Sequence, residues 1–188
     1  MMRALLLAGA LLLLGGCPAP QLVSPYDEAI DRGIVEFYEQ LNLFVKDTAD
    51  AAGRPEGTYQ ANSRKYNALE TKLDVLILRA SSASAGAGCR LEAKVYEKVE
   101  KALANEVPAD LKPAAQSAAG DASGCNTKLL ELVKRQLALI REIHEKTDKC
   151  DTPAGPVSCL RRATAASALK IANQSIHAVS VVEAAKRN

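Results

Sequence analysis

Ile30, Ile34, Phe37, Leu41 and Phe44 recur at intervals of three and four, and this spacing constrains the fold more than any other feature of the chain. Apolar residues at that interval line one side of an α-helix, because successive residues turn through about 100°. The same period returns in Tyr59, Tyr66, Leu69, Leu73, Leu76 and Ile77. It appears again in Leu91, Val95, Val99 and Leu103, and in Leu129, Val133, Leu137, Ile140 and His144. No stretch alternates apolar and polar residues with enrichment in β-branched side chains, so no strands are expected.

Breaks divide the helical segments. Ser24-Pro25-Tyr26-Asp27 reads as the first start, with Ser24 as cap, Pro25 in the first turn and Asp27 completing a capping box. Gly53-Arg54-Pro55-Glu56-Gly57 ends that helix. A second is expected from about Thr58 to Ala80, followed by a small-residue linker over 81–88. A third is expected from about Cys89 to Glu106. Residues 109–120 are Ala-rich and weakly helical, with Pro113 limiting them to short pieces. A fifth segment spans about Asn126 to Lys149, and Thr152-Pro153-Ala154-Gly155-Pro156 breaks it from a last helix over about Val157 to Lys186. Ala163, Ala166, Ala168 and Ala172 in that helix would admit a neighbour closely. The expected fold is all-α: an antiparallel bundle of about five helices, occupying residues 25–188 as one domain.

The chain begins with Met1, Met2 and Arg3, an apolar run from Ala4 to Leu14, and then Gly15-Gly16-Cys17. One positive charge, a short apolar region and small residues make a secretory signal. The run falls short of the roughly 20 residues a spanning helix needs. Leu14-Gly15-Gly16-Cys17 resembles the lipobox of bacterial lipoproteins. The resemblance implies that residues 1–16 are removed and that Cys17 is acylated on sulfur and on its new amino group. Residues 17–24 then form the lipidated N-terminus and a Pro-rich tether. Several acyl chains hold a protein far more firmly than one. By analogy with systems in which an Asp after the cysteine retains the protein at the inner membrane, Pro18 favours the outer membrane, facing the periplasm.

Cys89, Cys125, Cys150 and Cys159 remain after Cys17. An even count in an exported domain reads as two disulfides. Three pairings are open to four cysteines, and the helix layout favours Cys89–Cys125 with Cys150–Cys159. The second pair flanks the break between the last two helices, where an antiparallel hairpin brings chain ends together. Cys89 begins the third helix, and the return over 109–120 brings Cys125 back toward it. Such staples suit a core made mostly of Ala, Val, Leu and Ile, with no Trp and few aromatic residues.

Signatures of chemistry are sparse. The cysteines lack the paired spacings of zinc sites, so no metal is expected. His144 and His177 are the only histidines, and a hairpin folding near Pro153 separates them by about 21 Å along the axis. They cannot share an ion in one chain; His144 is expected to be half-buried on its helix and His177 to be a surface or core residue. No Cys-x-x-Cys-His is present, and both methionines leave with the signal, so no cofactor is expected. There is no Gly-x-Ser-x-Gly or phosphate loop, and Ser81-Ser82-Ala83-Ser84 lies in a linker without a partner base. Glu142, Glu145, Asp148 and Asp151, interleaved with Arg141 and Lys146, read as a solvated, ion-paired helix face rather than a pair of catalytic carboxylates. Lys94, Lys98 and Lys101, beside Glu92, Glu97 and Glu100, read the same way; an anionic contact there or at Arg161-Arg162 with Lys170 is the sharper alternative. Tyr59 and Tyr66 are expected to pack their rings and leave the hydroxyls in water.

Lys and Arg total 24 against 22 Asp and Glu, which gives no basic excess for nucleic acid. The function expected is therefore non-catalytic: a lipid-anchored binding or scaffold module that contacts an envelope protein or the cell wall. Two further readings stand beside it. One is a carrier or sensor for a small apolar ligand held between helices. The other is an inhibitor or exclusion lipoprotein of the immunity type.

Overall fold

The computed structural model describes residues 24–83 and 124–187. These hold α1 (Glu28–Asp50), a 3₁₀ turn (Pro55–Gly57), α2 (Tyr59–Ala83), α3 (Cys125–Glu142), a π-turn (Ile143–Thr147), β1 (Lys149–Cys150), β2 (Val157–Ser158) and α4 (Arg162–Ala185). The expected helix at 89–106, the pieces at 109–120 and the Cys89–Cys125 pair lie outside the described residues, as does Cys17.

The first helix begins later than its sequence suggests. Asp27, not Ser24, is the cap: its extended backbone (φ −125°, ψ 102°) lets a side-chain oxygen accept from the N–H groups of Ala29 and Ile30 at 2.9 and 3.3 Å. Arg79 of α2 also donates to both oxygens of this carboxylate, at 2.9 and 2.7 Å. Partial burial of Asp27 opposes its ionised form. The Arg79 bond and the two N–H donors outweigh that and hold its pKa below the usual value.

Four α-helices among the described residues form a closed ring, α1 beside α2, α2 beside α3, α3 beside α4, and α4 back beside α1. Every neighbouring pair is antiparallel. Lys134 reaches Asp74 while Arg141 reaches Glu70, so α3 runs against α2. Asn126 meets Glu183 while Gln136 meets Ser175, so α4 runs against α3. Arg162 pairs with Asp50, Asn173 with Asn42, and Glu183 with the N–H of Asp27, so α4 also runs against α1. Asn42 and Asn173 exchange two amide hydrogen bonds, at 3.0 and 3.1 Å. That reciprocal pair sets the register of α1 on α4, since a one-turn slip would strand the buried Asn42 amide and the half-buried Asn173 amide.

The apolar stripes fill the interior. Ile30, Ile34, Phe37 and Leu41 from α1 meet Leu73 from α2, Leu129, Leu130 and Val133 from α3, and Ala172 and Val179 from α4. Burial of this kind supplies the main favourable free energy, about 25 cal/mol for each Å² removed from water. Ala168 and Ala172 face the core as expected, whereas Ala163 and Ala166 are exposed.

The junction between α3 and α4 departs furthest from expectation. In place of a helix running to Lys149 and another starting at Val157, the chain leaves α3 through the π-turn and forms a hairpin. Lys149 pairs with Ser158, and Cys150 with Val157. Strands appear here, where none are expected, because Pro153 and Pro156 exclude helix from the intervening loop. The Cys150–Cys159 disulfide then fixes both arms. It closes a short loop, whose entropy contributes roughly 3 kcal/mol in the chain-entropy treatment.

Candidate functional site

Two parts of the molecule stand out: a buried polar cluster at the stapled end, and an uncharged stripe on the outside of α2.

The cluster centres on His144, which ends the apolar stripe of α3 and lies in the π-turn. It is 0% exposed rather than half-buried as the sequence suggests. Its Nε2 lies 3.0 Å from the carbonyl oxygen of Gly57, which can only accept. Nε2 therefore carries the proton. Nδ1 is then an acceptor, and the hydroxyl of Tyr66 donates to it at 3.0 Å. Tyr66 is itself buried, so its hydroxyl spends its bond on His144 rather than on water. Phe44 meets the Tyr66 ring edge-on at 4.8 Å, and Tyr59 packs 6.0 Å from it. Burial pushes the Tyr66 phenol up, with the neighbouring Tyr59 adding to the rise. Burial pushes His144 down; its bond to Gly57 and the charge of Asp148 act the other way without cancelling the effect.

Around this pair the end of the bundle is tied together. Arg141 donates to the Tyr59 hydroxyl at 2.9 Å and pairs with Glu70. The Tyr59 N–H donates to the Ser158 hydroxyl at 3.0 Å, and that hydroxyl donates to Gln60. Asp148 is buried instead of belonging to a solvated helix face. It accepts from the backbone N–H, Nε and Nη2 of Arg161 at 3.0, 3.0 and 2.7 Å. Arg162 pairs with Asp50. Both arginines of the candidate anionic contact are thus committed to carboxylates of the fold.

Glu142 and Glu145 are exposed, Glu142 pairing with Lys146, while Asp148 points inward; the structure does not bring these carboxylates together around a cleft. His177 is exposed on α4, far along the bundle from His144. Among the described residues no group of three or more His, Cys, Asp or Glu side chains is placed to hold a metal ion. Cys150 and Cys159 form the shorter of the two expected disulfides, and the Cys125 side chain lies outside the described structure. His144 and Tyr66 are both sealed from solvent among the described residues, and the cluster ties the Gly57 turn, α2 and the π-turn together.

The second feature lies on α2. Val75 is 60% exposed and Leu78 is 69% exposed, one helical turn apart on the side away from the core. Thr71 and Ser82 extend this stripe in both directions. Each turns its hydroxyl back onto its own helix, Thr71 to the Asn67 carbonyl and Ser82 to the Leu78 carbonyl, both at 2.9 Å. The stripe is therefore uncharged, and its two hydroxyls are already spent. The stripe leaves no signal in the sequence, since the period of three and four marks the buried face and says nothing about apolar residues that fall outside it.

No protein-family model, curated protein or solved structure matches this chain.

Proposed function

We propose that this chain is a lipid-anchored protein of the bacterial cell envelope whose helical bundle serves as a binding or scaffold module. The observation that carries the reading is Leu14-Gly15-Gly16-Cys17 behind a charged, apolar leader. Acylated Cys17 would hold the chain at a membrane, by preference the outer membrane facing the periplasm. No described helix is long and apolar enough to cross a membrane, so in this reading the anchor is the lipid. Residues 18–24 reach at most about 25 Å when extended. That keeps the end of the bundle holding Asp27, Arg79 and Glu183 near the bilayer. The stapled end stands about 35 Å further out, the length of α1.

The outer face of α2 is the contact surface best suited to a protein partner. A stripe of exposed apolar side chains, flanked by Asp74 and Arg79 that are already paired with Lys134 and Asp27, gains free energy when covered. Dense packing through Ala168 and Ala172 supports this reading over a carrier with a large internal cavity. The test is a photo-reactive residue placed at Leu78 in the membrane-anchored protein, in envelopes of the native host. The expected result is a discrete protein adduct that disappears when Val75→Glu is added, while the circular dichroism and melting temperature of the bundle hold. Absence of any adduct from Leu78, or an adduct indifferent to Val75→Glu, contradicts this assignment of the surface.

A further inference from the structure

The arrangement around His144 carries a consequence independent of the anchor and of the α2 surface. This imidazole joins three separately folded pieces: the turn that follows α1, through Gly57; α2, through Tyr66; and the π-turn that leads from α3 into the stapled hairpin. Both ring nitrogens are engaged, and only the tautomer with the proton on Nε2 satisfies both partners. A second proton must enter on Nδ1, where the Tyr66 hydroxyl now donates. That hydroxyl would have to rotate and accept, leaving its own proton inside a buried site where it has no second partner among the described residues.

The positive charge would also lie in apolar and aromatic surroundings. Tyr59 and Tyr66 face it from α2, and both are neutral phenols. Phe44 from α1 closes on Tyr66. The turn offers the Gly57 carbonyl, already used; Glu56 beside it is exposed and pairs with Arg54. On its own side of the bundle, Arg141 is a like charge held by Tyr59 and Glu70, and Glu145 is exposed. Asp148 is the nearby buried carboxylate, and Arg161 from the start of α4 claims both its oxygens. Among the described residues Asp148 is the only charge that favours an imidazolium, and it does not offset the burial.

We propose that His144 is an acid-operated latch: protonation at Nδ1 breaks its bond to Tyr66 and puts a charge in the buried site, so the imidazole leaves that site and thereby releases the Gly57 turn and the hairpin end while the four helices remain packed. The opening is local because the pieces His144 joins are turns at one end. The Phe37, Leu73, Leu130 and Val179 layers of the core make none of these hydrogen bonds. The direction follows from linkage. His144 takes a proton more readily when released than when latched, so the latch is fully closed above the ordinary histidine value of 6.5 and weakens as pH falls below it. The opening equilibrium gains up to about tenfold for each pH unit over that range.

Amide hydrogen exchange on the complete mature chain, from pH 7.5 to pH 5 and corrected for the intrinsic rate, tests this. The expected result is a loss of protection at Gly57, Tyr59 and residues 143–150 of up to about tenfold per unit below 6.5. Amides near Leu73 and Val133 should stay protected. His144→Gln should abolish the pH dependence, and His177→Gln, at the only other histidine, should leave it intact. Unchanged protection at 143–150 down to pH 5 overturns the proposal; so does simultaneous loss across all four helices. If His144→Gln does not fold, the imidazole resonances of the native chain decide. Titration of His144 together with the opening supports the latch, and a His144 that stays neutral throughout it does not.

Discussion

Replacing Glu183 with Ala is expected to cost about 3–5 kcal/mol of stability and to lower the melting temperature by about 10 °C or more. Glu183 is 0% exposed and sits on the inward stripe of α4, following Ile176 and Val179. Its carboxylate accepts from the Asp27 backbone N–H at 2.9 Å, from the Asn126 amide, and from Lys186 at 2.9 Å. The Lys186 side chain is nearly buried too, and its ammonium also donates to the Ser24 hydroxyl. One carboxylate therefore joins the entry of α1, the start of α3 and the end of α4. Removing it strands the Lys186 ammonium and leaves the Asp27 N–H and the Asn126 amide without their acceptor, which is why the loss exceeds the value of an exposed pair. The double change Glu183→Leu with Lys186→Met separates charge from connection. It removes both ions together and is expected to recover most of the loss. Thermal melts of the single and double variants check this. A single variant within about 1 kcal/mol of the parent would show that the carboxylate does not hold this end.

The second large effect is at Gly57. A Cβ there would lie 2.1 Å from the carbonyl oxygen of Ala51 and 2.5 Å from its carbonyl carbon. Those atoms are backbone, and the same oxygen accepts from the Arg54 N–H at 2.9 Å, so they cannot swing aside. Gly57→Ala must push the turn away from α1 and carry the Gly57 carbonyl off His144. We expect a loss of about 3 kcal/mol or more, at the upper end for overpacking. Gly33→Ala is the contrast. There the close neighbour is the Leu76 Cδ2 methyl, at 2.6 Å, the tip of a flexible side chain. The rotamer change there is offset by the roughly 1 kcal/mol that Ala gains over Gly inside a helix, so Gly33→Ala should come out near neutral. Chemical denaturation of the two variants checks the pair; equal losses would contradict the account of the turn.

The inward faces of the helices were legible in the sequence because burial imposes a period that apolar residues cannot hide. Ile30 to Phe44, Leu69 to Leu76 and Leu129 to Ile140 all turn inward as their spacing requires. The hairpin was not legible. Two strands of two residues are too short to show alternation, and they exist because prolines, a disulfide and the π-turn leave the chain no helical route. The cap of α1 moved from Ser24 to Asp27 for a tertiary reason. Glu183 and Arg79, distant in sequence, both bind at Asp27 and fix where the helix begins. The polar interior divides along the same line. His144 could be placed on the inner stripe, yet its partner Tyr66 could not be named, because that pairing depends on how α2 and α3 cross. Glu183 did leave a trace, as a charged residue in phase with Ala172, Ile176 and Val179. Asp148 left none, since among neighbouring charges it resembles any residue of a solvated face.

The anchor is the claim on which the proposed function stands, and the intact mass of the protein extracted from membranes tests it most directly. The expected product is a chain beginning at Cys17, heavier than its sequence by a diacylglyceryl group and an amide-linked acyl chain, and this acylated form is absent from membranes when Cys17→Ser is introduced. A membrane-extracted chain that retains residues 1–16, or begins at Cys17 without acyl mass, would contradict it.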